Sequence, residues 1–162
     1  MMMTYVLQLC LFCGLFTALV AIGTGGRAIN EIYFYPKPVQ DRAVELGLTT
    51  YDTIKRKSRR FMVPFLLIMS AALILIIGLW NHAPDFKSAY LQSLLFLEVM
   101  NWYDGIVIDK VWVGHSRFWD IPELKGIPYV KTWKQVLIKR GMGSLLYVVI
   151  AAIMAGLIVL IL

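Results

Sequence analysis

Three uninterrupted apolar runs, at residues 4–22, 61–80 and 144–162, decide what this chain can become. At about 1.5 Å per residue in a helix, each reaches roughly 28 to 30 Å, the thickness of a bilayer's hydrocarbon core. The rest of the composition agrees. Of the 162 residues 59% are hydrophobic, and the mean hydropathy of +0.70 excludes an ordinary soluble domain. A fourth segment, 90–113, is long enough to cross but carries polar residues throughout its inner half. The expected fold is therefore all-α: one membrane domain over 1–162, a polytopic bundle of four transmembrane helices with amphipathic interfacial helices on the cytoplasmic side.

Charge sets the expected orientation. Residues 23–60 hold Arg27, Lys37, Arg42, Lys55, Arg56, Lys57, Arg59 and Arg60, and residues 114–143 add Arg117, Lys125, Lys131, Lys134, Lys139 and Arg140. The connection between the second and third spans has Lys87 alone. Because basic loops stay in the cytoplasm, loops 23–60 and 114–143 are expected inside, with both termini outside the cytoplasm. The formal charge of +6 then gathers at one face. With no basic soluble domain to hold a duplex, nucleic acid is excluded as a partner. Anionic lipid headgroups are expected instead, at on the order of 1 kcal/mol per basic residue near the leaflet.

The first run lacks a basic start and a small-x-small cleavage site, so it is read as a retained span rather than a removed leader. Its Gly14, Thr17, Ala18, Ala21 and Gly25 recur at three or four residues, a spacing that predicts close packing against another span. Cys10 and Cys13 form a C-x-x-C without a second pair to complete a metal site, and they read as small packing residues. The Gly23-Thr24-Gly25-Gly26 run lacks the lysine and the preceding strand of a phosphate loop. Neither a metal set nor a cofactor motif is read.

Between the spans, a short helix is expected over residues 39–46, ended by Gly47. Thr49 to Asp52 offers a capping start for a helix that runs into the second span, where Pro64 falls within the first embedded turn. Tyr129, Trp133, Val136, Leu137 and Arg140 recur at three or four residues, predicting an interfacial helix. Gly141 and Gly143 would turn the chain from it into the last span.

The chemistry is concentrated in Glu98 to Ser116, EVMNWYDGIVIDKVWVGHS. On an α-helix, at about 100° per residue, Glu98, Gly105, Asp109 and Ser116 fall within roughly 40°, flanked by Asn101. Asp104 and His115 point away by about 100 to 120°. Asp104 and Asp109 diverge by about 140° and cannot serve one partner from a regular helix, unless Gly105 breaks it. A carboxylate at helix centre costs about 2.5 to 3.5 kcal/mol on insertion scales, so Glu98 must face protein or water. Candidate ligand-binding or proton-titrating residues are thus Glu98, Asn101, Asp104 and Asp109. Arg27, Asn30, Glu31, His115 and Arg117 are possible contributors at the inner interface. Glu98 is expected to bond Asn101, Gln8 or a backbone carbonyl; Asp104 to pair with Arg27; and Asp109 with Lys110 or Arg117.

The block Asp104-x4-Asp109-x2-Trp112-x2-His115-Ser116, followed by Pro122 and a last span, resembles small four-span membrane proteins of Gram-positive bacteria. That resemblance implies the four-helix topology and no particular activity. Asp104-Gly105 also resembles one step of the CDP-alcohol phosphotransferase signature, but position 101 is Asn and the Ala-Arg is absent, which excludes that family.

Three functions stay open on sequence. One is binding or moving a small solute, ion or lipid in a polar cavity of the third span, as a homo-oligomer because four spans enclose little room. The second is an enzyme acting on an amphiphile at the inner leaflet through Asp104, Asp109 or His115, with Arg27 or Arg117 holding its headgroup. The third is an accessory subunit of a larger membrane complex. Three polar residues graded in depth exceed what packing needs, which favours the first.

Overall fold

The computed structural model describes residues 2–161 and is all-α. Helix α1 (Met2–Thr24) ends where Gly25 and Gly26 take positive φ, a conformation that costs glycine little. A 3-10 segment (Ala28–Phe34) and a short helix α2 (Lys37–Glu45) follow, the latter closed by Gly47 at φ 70°. Helix α3 (Tyr51–Ile74) opens with Thr50 accepting from the Thr53 N–H, runs through Pro64, and widens into a π-helical stretch (Leu75–Trp80). Helix α4 (Phe86–Tyr103) is capped by Asp85 and passes into a π-helical segment (Asp104–Trp112) and one last α turn (Val113–His115). Helix α5 spans Trp133–Ile161.

Hydrogen bonds between side chains set the helices antiparallel in turn. At one end Gln8 of α1 donates to Asn81 beyond α3, and Asn81 donates to Gln92 of α4. At the other end the two basic loops pack together: Tyr35 donates to the Trp119 carbonyl at 2.5 Å, and its ring meets those of Trp119 and Tyr129. Between the ends, Phe12 meets Phe96 edge-on, Phe16 meets Phe65, and Thr17 shares a hydrogen bond with Tyr103.

Three helices are long and apolar enough to cross a membrane by length and composition, Met3–Thr24, Tyr51–Trp80 and Trp133–Ile161. Three such helices stand where four spans are expected. The segment 90–113 falls outside the set because Glu98, Asn101, Asp104, Asp109 and Lys110 lower its hydropathy. Two further expectations change. The last interfacial helix and the last span are one continuous helix of 29 residues, with Gly141 and Gly143 inside it. Glycine costs a helix interior only about 1 kcal/mol relative to Ala, and tertiary packing outweighs that here. On α1, Gly14 and Ala18 are exposed, and Phe12, Cys13, Phe16 and Val20 form the packed face instead. Large side chains fill the wide space between four helices, which a small-residue stripe would leave void.

Candidate functional site

The polar face of α4 lies against the start of α5. Ser144 Oγ donates to Glu98 at 2.7 Å, and Asn101 donates to the Arg140 carbonyl at 2.9 Å and to Ser144 Oγ at 3.2 Å. Gly143 makes this approach possible, since a Cβ there would stand 2.9 Å from Asn101 Oδ1. One turn further on, the Arg140 side chain crosses over Gly105, whose missing Cβ would meet Arg140 Cγ at 2.9 Å. The guanidinium then divides between two carboxylates. Its Nη1 reaches Asp104 Oδ2 at 2.5 Å and its Nη2 reaches Asp109 Oδ2 at 2.7 Å. Lys131 takes the other Asp109 oxygen at 2.7 Å, and Lys110 donates to the Lys131 carbonyl while lying over the Trp133 ring.

A regular α-helix would not allow this. Asp104 and Asp109 are five residues apart and diverge in an α-helix, but the chain from Asp104 onward is π-helical, with each N–H bonded five residues back. Residues five apart then return to one face. The break envisaged at Gly105 takes the form of this widening, and it turns Asp104 on to the same partner as Asp109. Arg140 is 5% exposed. Its own carbonyl and both amino nitrogens are engaged, whereas its Nε lies buried with no acceptor in reach among the described residues.

Beside this cluster is a cavity of about 380 Å³. Its charged end is formed by Asp104, Asp109, Lys131, Lys139 and Arg140, with Tyr147 adjoining. Its walls are apolar, from Phe12 and Phe16 of α1, Phe65, Met69 and Leu73 of α3, and Met154 of α5. Along α3 it runs from Phe61 to Leu73, about 18 Å at 1.5 Å per residue. Glu98 and Asn101 do not reach it; they belong to the α4–α5 seam.

The inner-interface residues scatter. Asp104 pairs with Arg140 rather than Arg27, which is exposed at the start of the 3-10 segment. Asp109 pairs with Arg140 and Lys131, not Lys110 or Arg117, and Glu98 bonds Ser144, not Asn101 or Gln8. Arg117 and His115 are exposed, the His115 ring lying 3.2 Å from the Lys110 and Val111 carbonyls. Asn30 donates to the Thr24 carbonyl and accepts from Lys57, so this segment docks on α1 and α3 rather than on α4. Among the described residues, no three His, Cys, Asp or Glu side chains gather as a metal site.

Comparison of the chain with protein-family models, with curated proteins and with solved structures gives no match.

Arg140, Lys131 and Ser144 lie outside the candidate site residues read from sequence. A signal for Arg140 was present: it continues the apolar face of Val136 in register with Tyr147, Ala151 and Met154, where a cation needs a buried partner.

Glu31 is 1% exposed, with Oε2 unpartnered. It stands, with the Phe61 ring, against Gly23, where any Cβ would collide with its carboxyl. Burial pushes this carboxyl up to about 7, against a smaller opposing effect of the Tyr33 hydrogen bond. The folded protein keeps the Glu31 proton to about pH 7, while the unfolded chain releases it near the ordinary value of 4.5. Stability therefore falls as pH rises between those values and levels off above them, by roughly 3 kcal/mol at 1.36 kcal/mol per unit. Thermal unfolding followed by tryptophan fluorescence should show a melting temperature that drops from pH 5 to pH 7.5. In Glu31→Gln that part of the slope should vanish.

Proposed function

We propose that this protein is a four-span protein of the cell membrane that binds an amphiphile between its helices. The observation that carries the reading is the segregated lining of the cavity. Charged side chains, with Tyr35, Trp119 and Tyr129 of the loops, stand at one end, and the remainder is lined mainly by phenylalanine, methionine, leucine and other apolar residues. Its volume is near the lower limit of small-molecule sites, about 300 to 1,000 Å³, which suits a single chain-bearing molecule better than a two-chain phospholipid. One copy of the chain supplies every wall residue named, so binding needs no second subunit.

The fourth crossing would be made by α4 and its π-helical continuation. Between residues 90 and 113 the exposed positions are Leu91, Leu95, Ile106, Val107 and Val111, all apolar, while Glu98, Asn101, Asp104 and Asp109 bond to protein. Lipid outside and polar groups inside is the arrangement a crossing helix requires. The resemblance to four-span proteins of Gram-positive bacteria implies the same number. With both basic loops packed together at one end, the positive-inside rule then puts that end in the cytoplasm and both termini outside.

Acid–base catalysis by Asp104 or Asp109 is disfavoured, because both carboxylates are held by Arg140. His115, exposed in the α turn after the π segment, does not line their cavity.

Filling the cavity tests the proposal. Met69→Trp on the α3 wall should abolish the amphiphile retained through purification, read as the loss of a bound mass in native mass spectrometry. The melting temperature should stay within a few degrees of the parent. A bound mass that survives both Met69→Trp and Phe65→Trp would place the ligand elsewhere and overturn the reading.

A further inference from the structure

We infer that the amphiphile carries an anionic head, such as a phosphate monoester or carboxylate, seated at the Lys139–Arg140 end of the cavity with its alkyl chain running toward Leu73. The inference rests on the amphiphile reading above and names the class of ligand. At the charged end three cations, Lys131, Lys139 and Arg140, face two carboxylates, Asp104 and Asp109, which leaves one positive charge in excess. The carboxylates are already committed: Asp109 on both oxygens, and Asp104 to Arg140. Lys139 lines the same space, and no carboxylate lies within ion-pair distance of it among the described residues.

The Lys139 ammonium, unpaired among the described residues, calls for a partner bearing negative charge. A cationic head would meet the excess charge of like sign, and a neutral head would leave it uncompensated.

The route in is consistent with this polarity. Most of the cavity lining is buried or half-buried, but Leu66 on α3 and Lys139 on α5 are exposed, as is Phe34 at the loop end. They mark a mouth between α3 and α5, helices that pack together far less than α4 and α5 do. Lys139 stands at that mouth. Lys55, Arg56, Lys57, Arg59 and Arg60 begin α3 at the same end of the bundle, a basic surface that would concentrate anionic amphiphiles near the entrance. Entry from the leaflet would bring the chain in sideways, with the head held at the rim by Lys139 and beside Arg140.

The experiment uses the full chain in phosphatidylcholine nanodiscs, with occupancy read by native mass spectrometry for hexadecyl phosphate, hexadecanol, hexadecyltrimethylammonium and inorganic phosphate. Hexadecyl phosphate should bind at least tenfold more tightly than hexadecanol, with the ammonium weakest. Lys139→Ala should bring the phosphate down to the level of the alcohol and leave the alcohol unchanged; Lys139→Glu should make the ammonium the preferred ligand. Equal binding of alcohol and phosphate, insensitive to Lys139, would overturn the anionic head while the amphiphile reading stands. Inorganic phosphate binding as tightly as hexadecyl phosphate would show a plain anion site and overturn the tail. If none of the chain-bearing probes binds, both readings fall.

Discussion

Arg140→Met is expected to destabilise the protein by about 3 to 5 kcal/mol, the largest loss of any single substitution here. The substitution leaves Asp104 and Asp109 facing each other in a mostly buried site, with Lys131, among the described residues, the one cation in direct contact with the pair. Two carboxylates without their shared partner repel each other and lose the charge-assisted bonds that offset their desolvation. Arg140→Lys should recover part of the loss, since an ammonium supplies the charge but lacks the two-pronged fork that spans both acids. Arg140→Met with Asp104→Asn should also recover part of the loss, because the Asp109–Lys131 pair is kept and no carboxylate is left without a cation. Thermal unfolding in mild detergent measures each case. A melting curve for Arg140→Met that overlays the parent would mean that the α4–α5 clasp does not hold the bundle.

Gly143→Ala and Gly141→Ala should move stability in opposite directions although the two residues are two apart on one helix. A Cβ at 143 would stand 2.9 Å from Asn101 Oδ1 and 3.3 Å from its Nδ2, the atom that bonds the Arg140 carbonyl and Ser144. Asn101 would have to withdraw and leave those groups unpaired, a loss of about 1 to 3 kcal/mol. At 141 nothing lies within 4 Å of the added methyl. There the higher helix propensity of alanine should add up to about 1 kcal/mol. The difference between the two melting temperatures is the quantity to measure. A gain at both positions would show that α4 and α5 are not packed this closely at Gly143.

Much of the architecture can be read from residue types alone, because it follows from local chemistry. The apolar runs are long enough only for spanning helices, Thr50 and Gly47 mark helix ends, and basic residues separate from apolar ones along the chain. The face that carries Glu98 and Asn101 of α4 and Gly105 and Asp109 of its π-helical continuation is likewise legible at 100° per residue, and in the structure all four meet α5. The partner of that face is not legible in the same way. Lys131, Arg140 and Ser144 lie 22 to 46 residues from the groups they bond, and no local period connects them.

Asp104 shows the limit most clearly. Helical periodicity separates it from Asp109, and on an α-helix that separation is right. What joins them is a change of helix type that begins at Asp104 itself, where two carboxylates converge on one guanidinium held across Gly105. Pairing both acids with Arg140 is a tertiary gain, and it is available only once α5 lies against α4. The sequence by itself therefore determined three candidate spans, the basic end and the polar face. The tertiary structure alone decided which charges are spent on one another, and so which are left at the cavity for a ligand, because ion pairing depends on a few ångströms between distant parts of the chain.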